Sequence, residues 1–231
     1  MFHLADVKGS VVAFTSRVSP EKEQIDKMGK YVNSPQSQVY DKSRVLFGLD
    51  KAKQAIKSAD LAIVVEGQMD VITAHQHGYK NVIASSGTAL TQDQITLIKR
   101  YTNNIALAFD MDKAGEMAVE RGAREALREG ITVKVVEIGN GKDPDECIKS
   151  DKEEWERAVR DSKHLMQYYI DKTFKKFDIS DVQQKSKALG IVLNVLSSIE
   201  SNIEKDFWMK KIYNISDTPE NELLEELKKI M

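Results

Sequence analysis

The sequence predicts an α/β fold: a parallel β-sheet flanked by helices, preceded by a small N-terminal subdomain of short strands and followed by a C-terminal helical bundle. Three observations lead to this prediction. Apolar runs without polar alternation, separated by helical patterns, are typical of a parallel sheet with helices on both faces. A hairpin pattern precedes them and amphipathic helical segments follow them. We place the three parts at residues 1–58, 59–150 and 151–231.

The chain begins with a hairpin pattern. Two runs of strand composition, FHLAD and SVVAFTSRV, flank a turn that contains Gly9. Pro35 disfavours regular structure in the segment around it. Residues 43–58 then repeat apolar side chains at helical spacing, which predicts a helix before the first strand of the main sheet.

Four apolar runs in the middle of the chain predict the strands of the main sheet. The helices between them are marked by a glycine end at Gly78, a threonine cap at Thr91 and a glycine end at Gly130. Because loops at the carboxyl ends of parallel strands form the usual ligand crevice, we expect the functional site there. The four runs are LAIVV (61–65), NVIAS (81–85), NIALAFD (104–110) and ITVKVVEI (131–138).

The segment 151–231 is predicted to be wholly helical and to form a small bundle. One of its helices carries apolar residues at helical spacing, and we expect that stripe to face the core. The stripe consists of Val182, Leu189, Val192, Leu196 and Ile199.

Composition excludes several classes of protein. The formal net charge of −2 argues against a uniformly basic nucleic-acid-binding protein. A single cysteine, Cys147, excludes an intramolecular disulfide and a cysteine zinc cluster, so we expect no zinc in this segment. No signal peptide and no apolar run long enough to span a bilayer is evident. We therefore expect a cytoplasmic protein with no membrane partner.

Acidic side chains follow three of the predicted strands. Glu66 ends the first run, Asp110 and Asp112 end the third, and Asp143 and Asp145 come shortly after the fourth. Carboxyl ends of parallel strands meet at one edge of a sheet, so five carboxylates are expected in one crevice. Close carboxylates repel each other, and a bound cation would offset that repulsion.

A magnesium site is the functional interpretation of this crowd. Asp70 adds a further carboxylate, one helical turn after Glu66. Mg²⁺ binds through a few carboxylates together with water and substrate phosphates, and two such ions can hold the attacking and leaving oxygens of a phosphoryl transfer. Either Asp-x-Asp pair taken alone is more simply a solvated turn.

These motifs together resemble a known family. VVEGQMDV, FDMDKAGEMA and GKDPDE resemble the TOPRIM domain, which DnaG-type primases share with topoisomerases and some nucleases. The SSGTALT segment between the acidic motifs is similar to bacterial DnaG-type DNA primases specifically. The segments FHLADVKGSVVAFTSRV and GKYVNSPQSQVYDKSRVLFGLDKAK are similar to the primase region that precedes its TOPRIM fold.

The resemblance implies RNA primer synthesis on single-stranded DNA during replication, by a DNA-directed RNA polymerase that depends on Mg²⁺ or Mn²⁺. Its partners would be the template, ribonucleoside triphosphates and, in the full-length family, a replicative helicase. Glu66, Asp110 and Asp112 match the catalytic acidic positions, with Glu66 either a metal ligand or a proton-transfer group. The six residues implied as metal ligands are Glu66, Asp70, Asp110, Asp112, Asp143 and Asp145.

Four further residues match primase positions implicated in holding the triphosphate and template: Arg17, Lys30, Asn33 and Lys42. Arginine offers a planar fork that suits phosphate, whereas lysine offers a mobile point charge. Each basic residue taken alone would simply be a solvated surface charge, and the resemblance is what favours a binding role.

The chain departs from the family in length. It begins inside the basic subdomain, without the zinc-binding module, and shows no clear helicase-binding domain, so we expect a core fragment with weak activity alone. A non-catalytic fragment that binds metal and nucleotide is one alternative. Another TOPRIM enzyme, of nuclease or topoisomerase type, is the second, although the NSPQSQVYDKSR segment argues against it. Template preference, primer length and oligomeric state stay open.

Overall fold

The computed structural model shows a mixed α/β protein with two sheets, as the sequence predicts. Within the residues it describes, no helix is long and apolar enough to span a membrane. Those residues are 1–17, 31–86, 89–109, 122–139 and 143–230.

The N-terminal part is a three-stranded antiparallel sheet in the order β1-β2-β3. The hairpin of β1 (Phe2–Ala5) and β2 (Val11–Arg17) is confirmed. The strand β3 (Tyr31–Asn33) pairs with β2, although Pro35 led us to expect no regular structure there. That expectation is wrong because the strand ends before the proline, where no N–H group is lost.

A short helix follows, later than predicted. A 3₁₀ turn (Lys42–Arg44) comes first, and helix α1 (Leu49–Ala59) begins only after Gly48. Gly48 has a φ of 82°, a left-handed conformation that side-chain-bearing residues rarely adopt. The apolar spacing of residues 43–58 therefore spans two elements.

In the described part of the chain, the main sheet consists of β4 (Ala62–Val65), β5 (Val82–Ala84), β6 (Asn104–Leu107), β7 (Thr132–Val135) and β8 (Lys163–His164). Their order across the sheet is β5-β4-β6-β7-β8, and the first four are parallel. The predicted parallel strands are confirmed, whereas the short β8, antiparallel to β7, was not foreseen.

Helices cover both faces of this sheet. Side chains of Ile63, Val65 and Ala106 pack on one face with α2 (Gln68–Gln76), α4 (Pro144–Ser150) and α5 (Lys152–Arg160). Those of Val64 and Leu107 pack on the other face with α1, α3 (Gln92–Lys99) and the C-terminal helices. Residues 122–128 are also helical and join the second face.

The C-terminal helices share the core of that second face. The prediction that residues 151–231 are wholly helical is wrong, because β8 adds to the edge of the sheet there. Leu189, Val192, Leu196 and Ile199 lie in or against the core as expected, but Val182 is 81% exposed because it is the first residue of its helix. The helices are α6 (Leu165–Lys176), α7 (Val182–Leu196), α8 (Asn202–Ser216) and α9 (Glu220–Ile230).

Candidate active site at the carboxyl edge of the parallel sheet

Glu66 lies directly after β4, at the carboxyl edge of the sheet, where the sequence predicted it. It is half-buried, and Gly67 caps the helix that follows. The Gly67 N–H donates to Asp70 Oδ2 at 2.9 Å. A Cβ added at position 67 would come within 2.9 Å of the same oxygen, which explains a glycine at this turn.

Asp70 joins two segments that are far apart in sequence. Its side chain is buried, with 7% exposure, and Oδ1 accepts the backbone N–H of Asp145 at 3.2 Å. Together with the bond from Gly67, this leaves a backbone donor on each carboxylate oxygen. Because α2 and α4 pack against each other, Asp70 ties the loop after β4 to the first turn of α4.

Asp145 is held by side chains on both of its oxygens. The hydroxyl of Thr73, itself 1% exposed, donates to Oδ1. Lys149 Nζ lies 2.7 Å from Oδ2, one turn along α4. We call Asp70, Thr73, Asp145 and Lys149 the α2–α4 clamp.

The charges around Asp145 keep it ionised. Burial pushes the pKa of Asp145 upward, but hydrogen bonds from Lys149 and Thr73 and the positive charges of Lys149 and Arg17 outweigh that effect. The pKa therefore lies below its ordinary value.

Asp143 is the N-cap of α4. Its Oδ1 accepts the N–H of Glu146 at 2.7 Å, and Pro144 occupies the first helical turn. The side chain is half-buried, so part of it faces solvent at the edge of the sheet. A carboxylate in this position satisfies a free helical N–H group and leaves lone pairs for a cation.

The predicted binding residues of the N-terminal part are only partly described. Asn33 stands opposite Thr15 in the β2–β3 register, and both side chains have a buried oxygen with no hydrogen-bond partner among the described residues. Lys42 is half-buried in the 3₁₀ turn. Lys30 lies outside the described residues.

Two of the predicted catalytic residues, Asp110 and Asp112, also lie outside the described residues. The described part of β6 and its extension ends at Phe109, which packs in the core. Among described residues, no group of three or more His, Cys, Asp or Glu side chains is placed to hold a metal ion together. Glu66 and Asp143, which are described at this edge, are carboxylates and suit a hard divalent cation.

Two segments of the chain match families of known proteins. Residues 63–148 match the Toprim-like family, and residues 1–53 match the N-terminal domain of the DNA primase catalytic core. A DNA primase of Clostridium acetobutylicum is 37% identical over 214 residues, and one of Staphylococcus epidermidis is 34% identical over 218 residues. These matches cover 92% and 94% of the chain, and 35% of each primase.

The chain belongs to the DnaG-type DNA primase catalytic cores, with a Toprim domain.

Solved primase structures agree with this assignment. A DNA primase domain from Pseudomonas aeruginosa superposes with a TM-score of 0.84 at 27% identity, over 100% of the chain and 70% of that domain. The zinc-binding and RNA polymerase domains of the Aquifex aeolicus primase give a TM-score of 0.79 at 32% identity, over 96% of the chain and 53% of theirs. Metal dependence is a property of the Toprim primases.

The primase core spans about a third of the length of the curated relatives it matches. A DnaG primase catalytic domain solved bound to single-stranded DNA superposes with a TM-score of 0.80 at 28% identity, over 96% of the chain and 70% of that domain. That structure shows DNA binding by the relative.

Three features of this edge were missed from the sequence. Lys149 stands four residues after Asp145, a helical spacing that could have indicated the ion pair. Thr73 carries no such signal, because its partner lies 72 positions away. Ser86, after β5, has a φ of 62° and a buried hydroxyl with no partner among the described residues. A non-glycine residue in this conformation at a sheet edge is a candidate ligand contact.

Proposed function

We propose that this primase core synthesises RNA primers on a single-stranded DNA template from ribonucleoside triphosphates. The 3′-hydroxyl of one nucleotide attacks the α-phosphate of the next, forming the new P–O bond and expelling pyrophosphate. The observation that carries the proposal is the superposition of the whole chain on primase cores, with Glu66 and the α4 acids at the carboxyl edge of the shared sheet.

We assign the divalent ions to Glu66, Asp110, Asp112 and Asp143, with Mg²⁺ as the physiological ion and Mn²⁺ as a substitute. When bound, such ions neutralise phosphate charge and stabilise the attacking and leaving oxygens. The carboxylates of this chain hold and orient the ions. Experiment can separate the two roles of Glu66. If Glu66 transfers a proton, its substitution changes the pH profile of turnover while metal stays bound.

We assign the triphosphate and template to Arg17, Lys30, Asn33 and Lys42. Arg17 is supported by the contribution of its positive charge to the lowered pKa of Asp145. Asn33 is supported by its buried carbonyl oxygen, which lacks a partner among the described residues and could accept a hydrogen bond from a ligand. A replicative helicase as partner and a cytoplasmic location remain proposals from the resemblance.

The test is primer synthesis by the chain itself. Single-stranded DNA, ribonucleotides and Mg²⁺ or Mn²⁺ are incubated with the chain, and short RNA is resolved on a gel. We expect RNA from the unaltered chain and a loss of at least about 100-fold in Asp110→Ala, because removing a metal-binding carboxylate removes charge stabilisation from the transition state.

Other outcomes would contradict the proposal. Cleavage of the DNA strand without nucleotides would favour a Toprim nuclease. Nucleotide binding without RNA, at any metal concentration, would favour a non-catalytic fragment. Equal RNA yield from the unaltered chain and Asp110→Ala would remove the metal assignment.

A further inference from the structure

We propose that Asp70 and Thr73 are positioning residues, which act through the α2–α4 clamp to hold the carboxylates of Glu66 and Asp143 at the distance that the metal requires. The inference rests on the proposed function and assigns Asp70 and Asp145 a different role from the metal ligation expected from the sequence. Its basis is the set of hydrogen bonds that already occupies their oxygens.

Asp70 connects the backbones of two loops through its carboxylate. Its two oxygens accept N–H groups from Gly67 and from Asp145, at 2.9 and 3.2 Å. Each donor lies close in sequence to a predicted ligand: Gly67 follows Glu66, and Asp145 is two residues after Asp143. The buried carboxylate of Asp70 therefore fixes the loop that carries Glu66 relative to the loop that carries Asp143. Buried, hydrogen-bonded carboxylates are well suited to this because their geometry is stiff.

Thr73 also contributes to the α2–α4 clamp. It lies one turn after Asp70 on the same helix and is almost fully buried. Its hydroxyl donates to Asp145 Oδ1, while Lys149 occupies Oδ2. The side chain of Asp145 is thereby turned back toward α2 and Lys149. Two hydrogen bonds between α2 and α4 therefore converge on Asp145 in the first turn of α4, two residues after the cap residue Asp143.

The α2–α4 clamp is expected to affect metal affinity without contacting the metal. Groups that orient metal ligands without touching the metal typically change metal affinity or activity by about 10- to 100-fold when removed. Displacement of a ligand by a fraction of an ångström is sufficient for such losses. The clamp therefore predicts that Thr73, a residue with no charge, controls the affinity of a divalent cation.

The experiment compares matched threonine variants of the full chain. Thr73→Val removes the hydroxyl and keeps the shape. Thr102→Val is the control, because Thr102 is also buried and donates to a carboxylate, Asp60, at 2.8 Å, but at the opposite end of the sheet. Thr73→Ser retains the hydroxyl. Mn²⁺ binding is measured by electron paramagnetic resonance and calorimetry, alongside the thermal midpoint of each metal-free variant.

We expect Thr73→Val to weaken Mn²⁺ binding by about tenfold, with Thr73→Ser and Thr102→Val within about twofold of the unaltered chain. Asp70→Asn should weaken binding by at least as much as Thr73→Val. Weaker binding in Asp70→Asn with unchanged binding in Thr73→Val would overturn the proposal and restore Asp70 as a direct ligand. Equal losses in Thr73→Val and Thr102→Val would also overturn it, since they would reflect general destabilisation.

A second measurement is independent of metal and of primer synthesis. Hydrogen exchange of the Gly67 and Asp145 amides is followed by NMR in the metal-free chain, and we expect Asp70→Asn to accelerate both by about tenfold or more. Unchanged exchange would overturn the clamp. If the unaltered chain bound Mn²⁺ but made no RNA, the proposed function would fail while both tests of the clamp kept their meaning; if it bound no Mn²⁺, the metal-positioning role would be overturned with it.

Discussion

Among individual residues, Asp143 shows how one carboxylate serves the fold and the proposed chemistry together. It caps α4, since its Oδ1 accepts the N–H of Glu146 at 2.7 Å, and it is one of the proposed metal ligands. The sequence located Asp143 but did not reveal the cap, because the pattern GKDPDE reads equally well as a plain turn. A serine can also cap a helix but cannot supply a carboxylate, so substitution separates the two roles.

We predict that Asp143→Ser keeps most of the stability of the chain and lowers RNA synthesis and Mn²⁺ affinity by about tenfold or more. Asp143→Ala should show the same functional loss and, in addition, lose about 1 kcal/mol of unfolding free energy with the cap. Urea denaturation and primer synthesis measure the two effects. Full activity in Asp143→Ser would exclude Asp143 as a ligand.

Among helices and strands, Gln94 explains why the 3₁₀ turn that carries Lys42 keeps its place. Gln94 is fully buried on α3, and its Nε2 donates to the carbonyls of Val45, at 2.9 Å, and Lys42, at 3.3 Å. Its Oε1 accepts the N–H of Thr91, which completes the predicted cap of that helix. The cap was readable from sequence, whereas the bond to a turn 52 positions away was not.

We predict that Gln94→Leu destabilises the chain by about 2–3 kcal/mol, since it removes a buried amide and leaves the partly buried carbonyls of Lys42 and Val45 without their donor. If Lys42 holds the triphosphate, the KM for ribonucleotides should rise several-fold in the same variant. Gln92→Leu is the control, because Gln92 is exposed on the same helix and its side chain donates to the carboxylate of Glu129 rather than to the 3₁₀ turn. Denaturation and nucleotide titration measure both variants, and an equal effect of the two would contradict the role of Gln94.

Across the full chain, His164 links the sheet to the C-terminal helices. It ends β8, its ring stacks on Trp208 of α8 with centroids 4.9 Å apart, and its Nε2 lies 3.1 Å from Glu204. Its Nδ1 accepts the N–H of Met166, so the neutral tautomer fits both bonds. Burial lowers the pKa of His164 below its ordinary value, although the charge of Glu204 opposes that shift.

The lowered pKa of His164 makes the free energy of unfolding decrease as pH falls. As pH falls below about 6.5, the unfolded chain takes up a proton on this histidine before the folded chain does, so unfolding becomes easier until pH passes the folded pKa. Burial also lowers the pKa of His75, which acts in the same direction. We predict that His164→Phe reduces, without abolishing, the loss of unfolding free energy between pH 7.5 and pH 5.5. Urea denaturation at both values tests this, and an unchanged loss would contradict the assignment.

The sequence predicted the features that depend on neighbouring residues along the chain. Apolar runs located the parallel strands, Thr91 located a helix start, and the acids after the strands located the candidate site. Periodicity, capping and strand-end position depend on neighbours within a few residues, so they can be read along the chain.

The strand β8 and the partners of Asp70 and Asp145 depend on tertiary packing. The two-residue strand β8 exists because β7 offers it an edge, and its own residues carry too little pattern to predict it. The partners of Asp70 and Asp145 were hidden for the same reason: Thr73 and Asp145 meet only because parallel strands bring α2 and α4 to one face. Contacts between residues more than 70 positions apart depend on how the sheet is assembled, and no local spacing encodes them.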